Sequence, residues 1–289
     1  MELGANMISR LVIHRFISFI SGSGMLIAGA TIVFGVVLMA IFAPLLTPYS
    51  PIKGSRDVLQ PPSSKHLLGT NNLGYDMLSR ILYGARTVLI VVLAATMFSM
   101  LIGVPLGLIS GYYGGYVDRA ISMVMDSMYA FPSLILAIAI AAVLGPSMLN
   151  TIIAISIVYV PTYYRMVRGQ TLSLKSQLYV EAARALGAKS STIISKYIFP
   201  NLLPTVLVVF SMNIADAILT EAGLSFLGFS VPPPTPDWGA DLRAGQAYLL
   251  AGYWWLITFP GFMVILLAVG FALIGEGLSD ILNPRREGM

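Results

Sequence analysis

The stretch Met25–Leu46 runs for 22 residues without an ionisable side chain. A bilayer core about 30 Å thick is crossed by about 20 helical residues. In lipid the backbone must satisfy its own hydrogen bonds, which a helix does and an open strand does not. Similar apolar runs recur at Thr87–Ser110, Ala120–Leu144, Met148–Tyr164, Leu202–Leu219 and Trp254–Ile274. Charged residues make up only 10% of the chain, where a soluble domain carries about 25%. The expected fold is therefore an all-α integral membrane protein of about six transmembrane helices. Arg10, His14 and Arg15 precede the first run, which is too long for a signal-peptide core and lacks a small-residue cleavage site.

Proline and polar residues punctuate the spans. Pro44, Pro48 and Pro51 stop helical continuation after the first, and Gly145-Pro146 makes a tight turn. The chain divides into residues 1–84, holding the first helix and a polar loop, and residues 85–289, a core of five helices with a polar, basic loop at 165–200. With the N-terminus inside, eleven basic residues fall on the inner side (Arg10, Arg15, Arg119, Arg165, Arg168, Lys175, Arg184, Lys189, Lys196, Arg285, Arg286) and six on the outer side. Positive residues favour the cytoplasm, so both termini are expected there. Tyr253, Trp254 and Trp255 open the last span as an interfacial aromatic belt does.

Gly103, Gly107, Gly111 and Gly115 recur every four residues. Such a stripe lets a neighbouring backbone approach closely, where lipid gives helices no hydrophobic reason to associate. It reads either as ordinary tight packing or as a sliding seam, with the last one or two glycines past the helix end. Ionisable residues at membrane depth are few: Asp126, Asp216, Glu221 and Glu276. Buried charge in lipid is costly and usually functional. An ion-coupled carrier or channel could use Asp216, while interfacial placement or pairing with an Arg is the plainer reading, favoured for Glu221 and Glu276.

The loop at 165–200 is the most informative stretch. Leu178–Leu186 reads as a short helix in which Leu178, Ala182 and Ala185 share a face. Gly187 can take the left-handed conformation that closes it. Ser190 or Ser191 can cap a second short helix, expected to end near Phe199 because Pro200 disfavours helical geometry before it. A helix this short is marginal in water. It needs either a partner or the anionic lipid surface, to which Lys175, Lys189 and Lys196 could hold it.

Glu181-Ala182-Ala183, then Gly187, then Pro200 thirteen residues on resembles the EAA loop of ABC importer permeases, with Tyr197 and Phe199 in place of the usual Ile and Leu. Three further strings resemble the C-type permease of dipeptide and oligopeptide importers. These are His66-Leu67-Leu68-Gly69-Thr70 through Leu73–Arg80 and Tyr83-Gly84-Ala85-Arg86; Ala130-Phe131-Pro132; and Leu224-Ser225-Phe226-Leu227-Gly228 with Pro233–Gly239. Tyr75 stands where the family usually has Arg, and Asn71-Asn72 where an acidic residue is common. The resemblance spans residues 12–286. It implies a type I importer permease fold in a prokaryotic plasma membrane. It also implies partnership with a B-type permease, one or two ATPase chains and an extracytoplasmic solute-binding protein. Glu181, Ala182, Ala183, Arg184, Ala185, Leu186, Gly187 and Pro200 would couple to the ATPase, with Glu181 pairing with Arg184 or with the ATPase. Peptides, oligosaccharides or nickel chelates would be the cargo.

The sequence excludes other chemistry. It has no cysteine and only two histidines, so neither a disulfide nor a metal cluster is expected. No phosphate-cradling glycine loop is present, so ATP and Mg belong to partner subunits and the chain carries no cofactor. No catalytic site or nucleic-acid partner is expected. The remaining alternative is a structural membrane scaffold.

Overall fold

The computed structural model describes residues 24–282, all helical or irregular, with no strand among them beyond one isolated bridge between Thr70 and Asp76. Arg10, His14, Arg15, Arg285 and Arg286 lie outside the described residues. Helix α1 (Gly24–Leu46) leads through a folded loop to α2 (Met77–Tyr113). Then come α3 (Gly115–Tyr129), α4 (Ser133–Leu144) and α5 (Met148–Leu174). A short helix α6 (Leu178–Ala185) precedes α7 (Ser190–Leu227), α8 (Trp238–Gln246) and α9 (Trp255–Leu282).

Four of these helices, α1, α2, α7 and α9, are long and apolar enough to cross a membrane, and α3 with α4 makes a fifth if the pair counts as one span. α5 has the length, 27 residues, but a more polar sequence. It packs against α2, α3, α4 and α7, and a helix sheathed by protein needs less apolar surface than one facing lipid.

Several helices outrun their apolar stretches. α2 starts ten residues before Thr87 and α5 ends ten residues after Tyr164, so the irregular part of the 165–200 loop shrinks to its middle. Gly84 lies inside α2 with no break there. The continuous helix expected over Ala120–Leu144 is instead two helices bent by 92°. Pro132 is the cause: it cannot donate a backbone bond, and it forces the residue before it out of helical geometry. The expected end at Pro200 is also overturned. Residues Ile193–Ile198 form a π turn, in which Phe199 N–H donates to Ile194 O, and the helix runs on to Leu227. The wider turn makes room for the proline ring, and Asn201 Nδ2 donates to Tyr197 O (2.7 Å). Neither serine caps this helix; Lys189, with extended backbone, holds the cap position and no side-chain bond is made there.

The core lies where α1, α2, α4, α5, α7 and α9 meet, around Val91, Val92, Ile155, Ile214, Ile218 and Leu267. A second cluster around Tyr163, Val167, Val180, Ile198 and Leu202 ties α2 and α5 to the base of α7 and seats α6.

Candidate functional sites

At one end of the bundle α6 projects on its own. Val180 is buried in the cluster at the base of α7 and Ala183 is also buried, whereas Leu178, Ala182 and Ala185 face outward. Leu178 is 82% exposed and Leu186 89%. The helix closes on Gly187, whose φ is +81°. Gly187 N–H donates to Arg184 O and Ala188 N–H to Ala183 O, both at 3.0 Å, the paired bonds of a Schellman closure. Glu181 makes no ion pair with Arg184; the Arg184 guanidinium lies 6.0 Å from the Tyr112 ring centre instead. Lys175 Nζ donates to Gly111 O (2.8 Å), so the strand of chain entering α6 is tied to the end of α2 rather than free to lie on lipid.

Beneath α6 the glycine stripe faces α5. A Cβ on Gly103 would lie 2.7 Å from Val160 O, one on Gly107 2.8 Å from Tyr164 O, and one on Gly111 2.9 Å from Arg168 O. These helices therefore touch backbone to backbone for two turns. Gly115 is not part of the seam; it opens α3 at φ +60° with open space around it. Higher up, Ser99 Oγ donates to Ser156 O (2.8 Å) and Ser156 Oγ to Ala95 O (3.2 Å), adding a polar clamp between the same helices.

A network that the residue pattern did not announce locks α3 to this pair. Arg168 grips Asp118 with both arms, Nε to Oδ1 at 2.5 Å and a terminal nitrogen to Oδ2 at 2.7 Å. Ser110 also donates to Asp118, and the Tyr164 hydroxyl bonds to Ser110 and Ser122 at 2.7 Å each. Asp118 and Ser122, one helical turn apart, were the available signal. Asp126, on the same helix, is exposed and pairs with Arg165 (2.7 Å), whose guanidinium also covers the Tyr129 ring at 3.9 Å.

Midway along the bundle, the bend between α3 and α4 opens a cavity of about 510 Å³ against α5 and α7. Asp216 lines it with an exposed side chain, with Tyr159, Thr162, Asn213 and Thr220 around it. Asn213, Asp216 and Thr220 fall at i, i+3 and i+7, a polar stripe on an apolar helix, and this periodicity could have flagged the site. Tyr159 and Thr220 satisfy each other at 3.0 Å.

The opposite end is a rigid cap built from the strings around 66–86 and 224–239. Asp76 caps α2 by accepting from Ser79 N–H (2.8 Å), and its other oxygen meets His66 Nδ1 at 2.9 Å. Arg80 donates to Asp241 (2.6 Å) and to the carbonyls of Pro51 and Pro234. Burial outweighs this arginine and pushes the Asp241 carboxyl up to about 6. Trp238 lies on Gly84, where a Cβ would come within 2.8 Å of the indole, and donates to Ile81 O (3.0 Å). Trp255 is buried and donates to Thr70 O (3.2 Å), so it anchors the loop while Trp254 alone stays half-exposed. Glu221 does not sit at a helix end. It is fully buried two turns before Leu227, accepts from Ser230 Oγ (3.0 Å), and pairs with no Arg among the described residues. Glu276 is exposed on α9. The two departures from the resemblance have structural roles: Tyr75 underlies Arg80 at 5.3 Å, and Asn71 Oδ1 accepts from Leu73 and Tyr75 N–H. No group of three or more ligating side chains that could hold a metal occurs among the described residues.

Comparison with known proteins decides what such a bundle belongs to. The family described as binding-protein-dependent transport system inner membrane component matches residues 103–288. The chain belongs to this family. It is thus a multi-pass transport subunit of a prokaryotic inner membrane and not an enzyme. The N-terminal transmembrane domain of oligopeptide transport permease C matches residues 23–62. The dipeptide transport system permease protein DppC of Alkalihalophilus pseudofirmus is 43% identical, covering 90% of this chain and 85% of the relative. The probable D,D-dipeptide transport system permease protein DdpC of Escherichia coli is 39% identical, covering 95% and 92%. In three dimensions the permease resembles a chain of the inward-facing MetNI methionine ABC transporter, with a TM-score of 0.59 over 72% of this chain and 98% of that one; at 18% identity this shows the fold alone. Membership in the family implies an ATPase, a second permease and a binding protein as companions. The carrier reading of Asp216 finds no support among these relatives.

Proposed function

We propose that the chain is one of two transmembrane subunits of an ATP-driven importer of small peptides, and that α6 is the lever through which ATPase subunits drive it. The observation that carries this reading is the outward apolar face of α6: Leu178, Ala182, Ala185 and Leu186 are solvent-facing on a helix seated only by Val180 and Ala183. An apolar face on so short a helix is stable in water only when something covers it. The small alanines let a partner's groove close around it. In this reading ATP and Mg bind on the partner ATPases, closure of the ATPase pair moves each docked lever, and the Arg168–Asp118 lock carries that movement to the bent pair α3–α4. The cavity at the bend then forms this subunit's half of the translocation path. The cargo assignment rests on the dipeptide permeases at about 40% identity.

The chain has no cysteine, so Ala182→Cys introduces a single thiol. It should crosslink to a co-purified ATPase subunit carrying a cysteine in its docking groove, and the crosslink should block uptake in proteoliposomes. Solute uptake by the chain alone, without an ATPase, would overturn the proposal.

A further inference from the structure

The cavity at the α3–α4 bend holds a carboxylate that the packing of the subunit does not explain. Asp216 forms no ion pair among the described residues. The two arginines on the neighbouring stretch of α5 are already committed, Arg165 to Asp126 and Arg168 to Asp118. Nor does Asp216 serve the nearby hydroxyls, since Tyr159 and Thr220 bond to each other. A charge at membrane depth cannot face lipid cheaply, so its free side belongs to the cavity. One helical turn earlier, Asn213 is buried and turned toward the Tyr163 hydroxyl, so it does not answer the carboxylate. An unpaired carboxylate facing a cavity marks a place that a cationic group completes.

We propose that Asp216 forms a transient subsite for the α-ammonium of a peptide in transit, its carboxylate accepting from that group. A cavity of about 510 Å³ is within the range of small-molecule sites and holds a dipeptide. Beside the hydroxyls of Ser133 and Thr162 its wall carries the apolar Met128, Phe131, Leu136 and Leu219, which tolerate varied side chains while Asp216 fixes only the part that all peptides share. A single charge-assisted contact also suits a path rather than a receptor, because cargo must leave it at every cycle. The inference deepens the peptide reading above and rests on it.

The test uses the complete importer (both permeases, ATPases and solute-binding protein) in proteoliposomes, with Ala–Ala and N-acetyl-Ala–Ala as cargo. Asp216→Asn should lower Ala–Ala uptake at saturating loaded binding protein by roughly tenfold, the size of one charge-assisted contact. Asp216→Glu should recover most of it, and both variants should co-elute with the partner permease and ATPase subunits in wild-type amount on size exclusion, which reports assembly. N-acetyl-Ala–Ala lacks the ammonium, so its uptake should not respond to Asp216→Asn; comparing cargo and variant in one cycle cancels the binding protein's own preference. Ala–Ala uptake by Asp216→Asn within twofold of wild type would overturn the subsite, as would an equal loss for both cargoes. If the acetylated peptide is not carried at all, the Ala–Ala loss and its rescue by Glu decide alone. A wild-type importer that carries neither peptide would overturn the peptide reading itself, and the subsite with it.

Discussion

Gly187 offers the cleanest perturbation of the lever. Its φ of +81° is one that side chains with a Cβ rarely adopt, and a Cβ placed on it would meet nothing within 4 Å. Any effect of substitution is therefore backbone strain and not a clash. For an L-residue the left-handed conformation costs about 1–2 kcal/mol, and a β-branched side chain lies at or above the upper end. α6 is eight residues long and marginal on its own, so there is little reserve to absorb that cost. A penalty of 1–2 kcal/mol shifts a local equilibrium by about 5- to 30-fold. Gly187→Val should thus cut binding-protein-stimulated ATP hydrolysis and uptake in proteoliposomes by about that factor, while the detergent-solubilised subunit keeps its melting temperature, because Gly187 itself is exposed and the cap meets the second core cluster only through the half-buried Ala188. Gly187→Asn, which tolerates the left-handed region, should lose little. Normal coupling in an assembled Gly187→Val importer would refute the lever. Equal damage from Asn and Val would refute the strain argument.

Four further outcomes test the frame around the lever. Gly107→Ala should lower the melting temperature of the solubilised subunit, since its methyl meets backbone at 2.8 Å, whereas Gly169→Ala on the facing helix has open space and should stabilise by about 0.5–1 kcal/mol through helix propensity. Arg168→Lys keeps the charge but loses the two-armed grip on Asp118; it should uncouple ATP hydrolysis from uptake several-fold, and a double-mutant cycle with Asp118→Asn should show non-additivity. Arg80→Ala leaves Asp241 buried and unpaired and should cost about 3–5 kcal/mol, read as loss of folded subunit on size exclusion. An Asp ionises near 3.9 when unfolded and near 6 in this cap. The folded chain therefore holds the extra proton between about pH 4 and 6, and this site's contribution to stability falls as pH rises through that window and is flat above it. Asp241→Asn should remove that slope from the pH dependence of melting.

Hydropathy located the spans because lipid imposes one requirement on every exposed helix. It failed where that requirement does not hold. α5 packs against α2, α3, α4 and α7, and its last ten residues pair Arg165 and Arg168 with carboxylates of α3, so they are helical where their polarity reads as loop. The first ten residues of α2 include Arg80 and Arg86 and read as loop, yet the buried partner Asp241 lies 161 residues away in sequence, beyond any local pattern. The break at Pro132 and the continuity through Pro200 show the same limit from both sides. A proline states that one backbone bond is missing, and the surrounding turn decides whether the helix bends or widens. The stripe Gly103–Gly111 and the turn at Gly187 were legible because both depend on a missing Cβ. Asp216 could be marked as unusual from sequence, but not what stands beside it.

The placement of strength within the bundle argues for a machine driven from one end. The outer cap is tied by buried bonds between distant segments, Arg80 to Asp241, Trp238 to Ile81 and Trp255 to Thr70. The lever end has exposed apolar residues, a helix of eight residues and a π turn where α7 begins. Between them α2 and α5 touch along a glycine seam and the Ser99–Ser156 clamp, while the Arg168–Asp118 grip fixes α3 to α5. A push on α6 would therefore reach the α3–α4 bend and the cavity before it strained the cap. If hydrogen exchange in the assembled importer showed α8 and the 47–76 loop opening with nucleotide as readily as α6, this order of stiffness would be wrong and the drive would have to enter elsewhere.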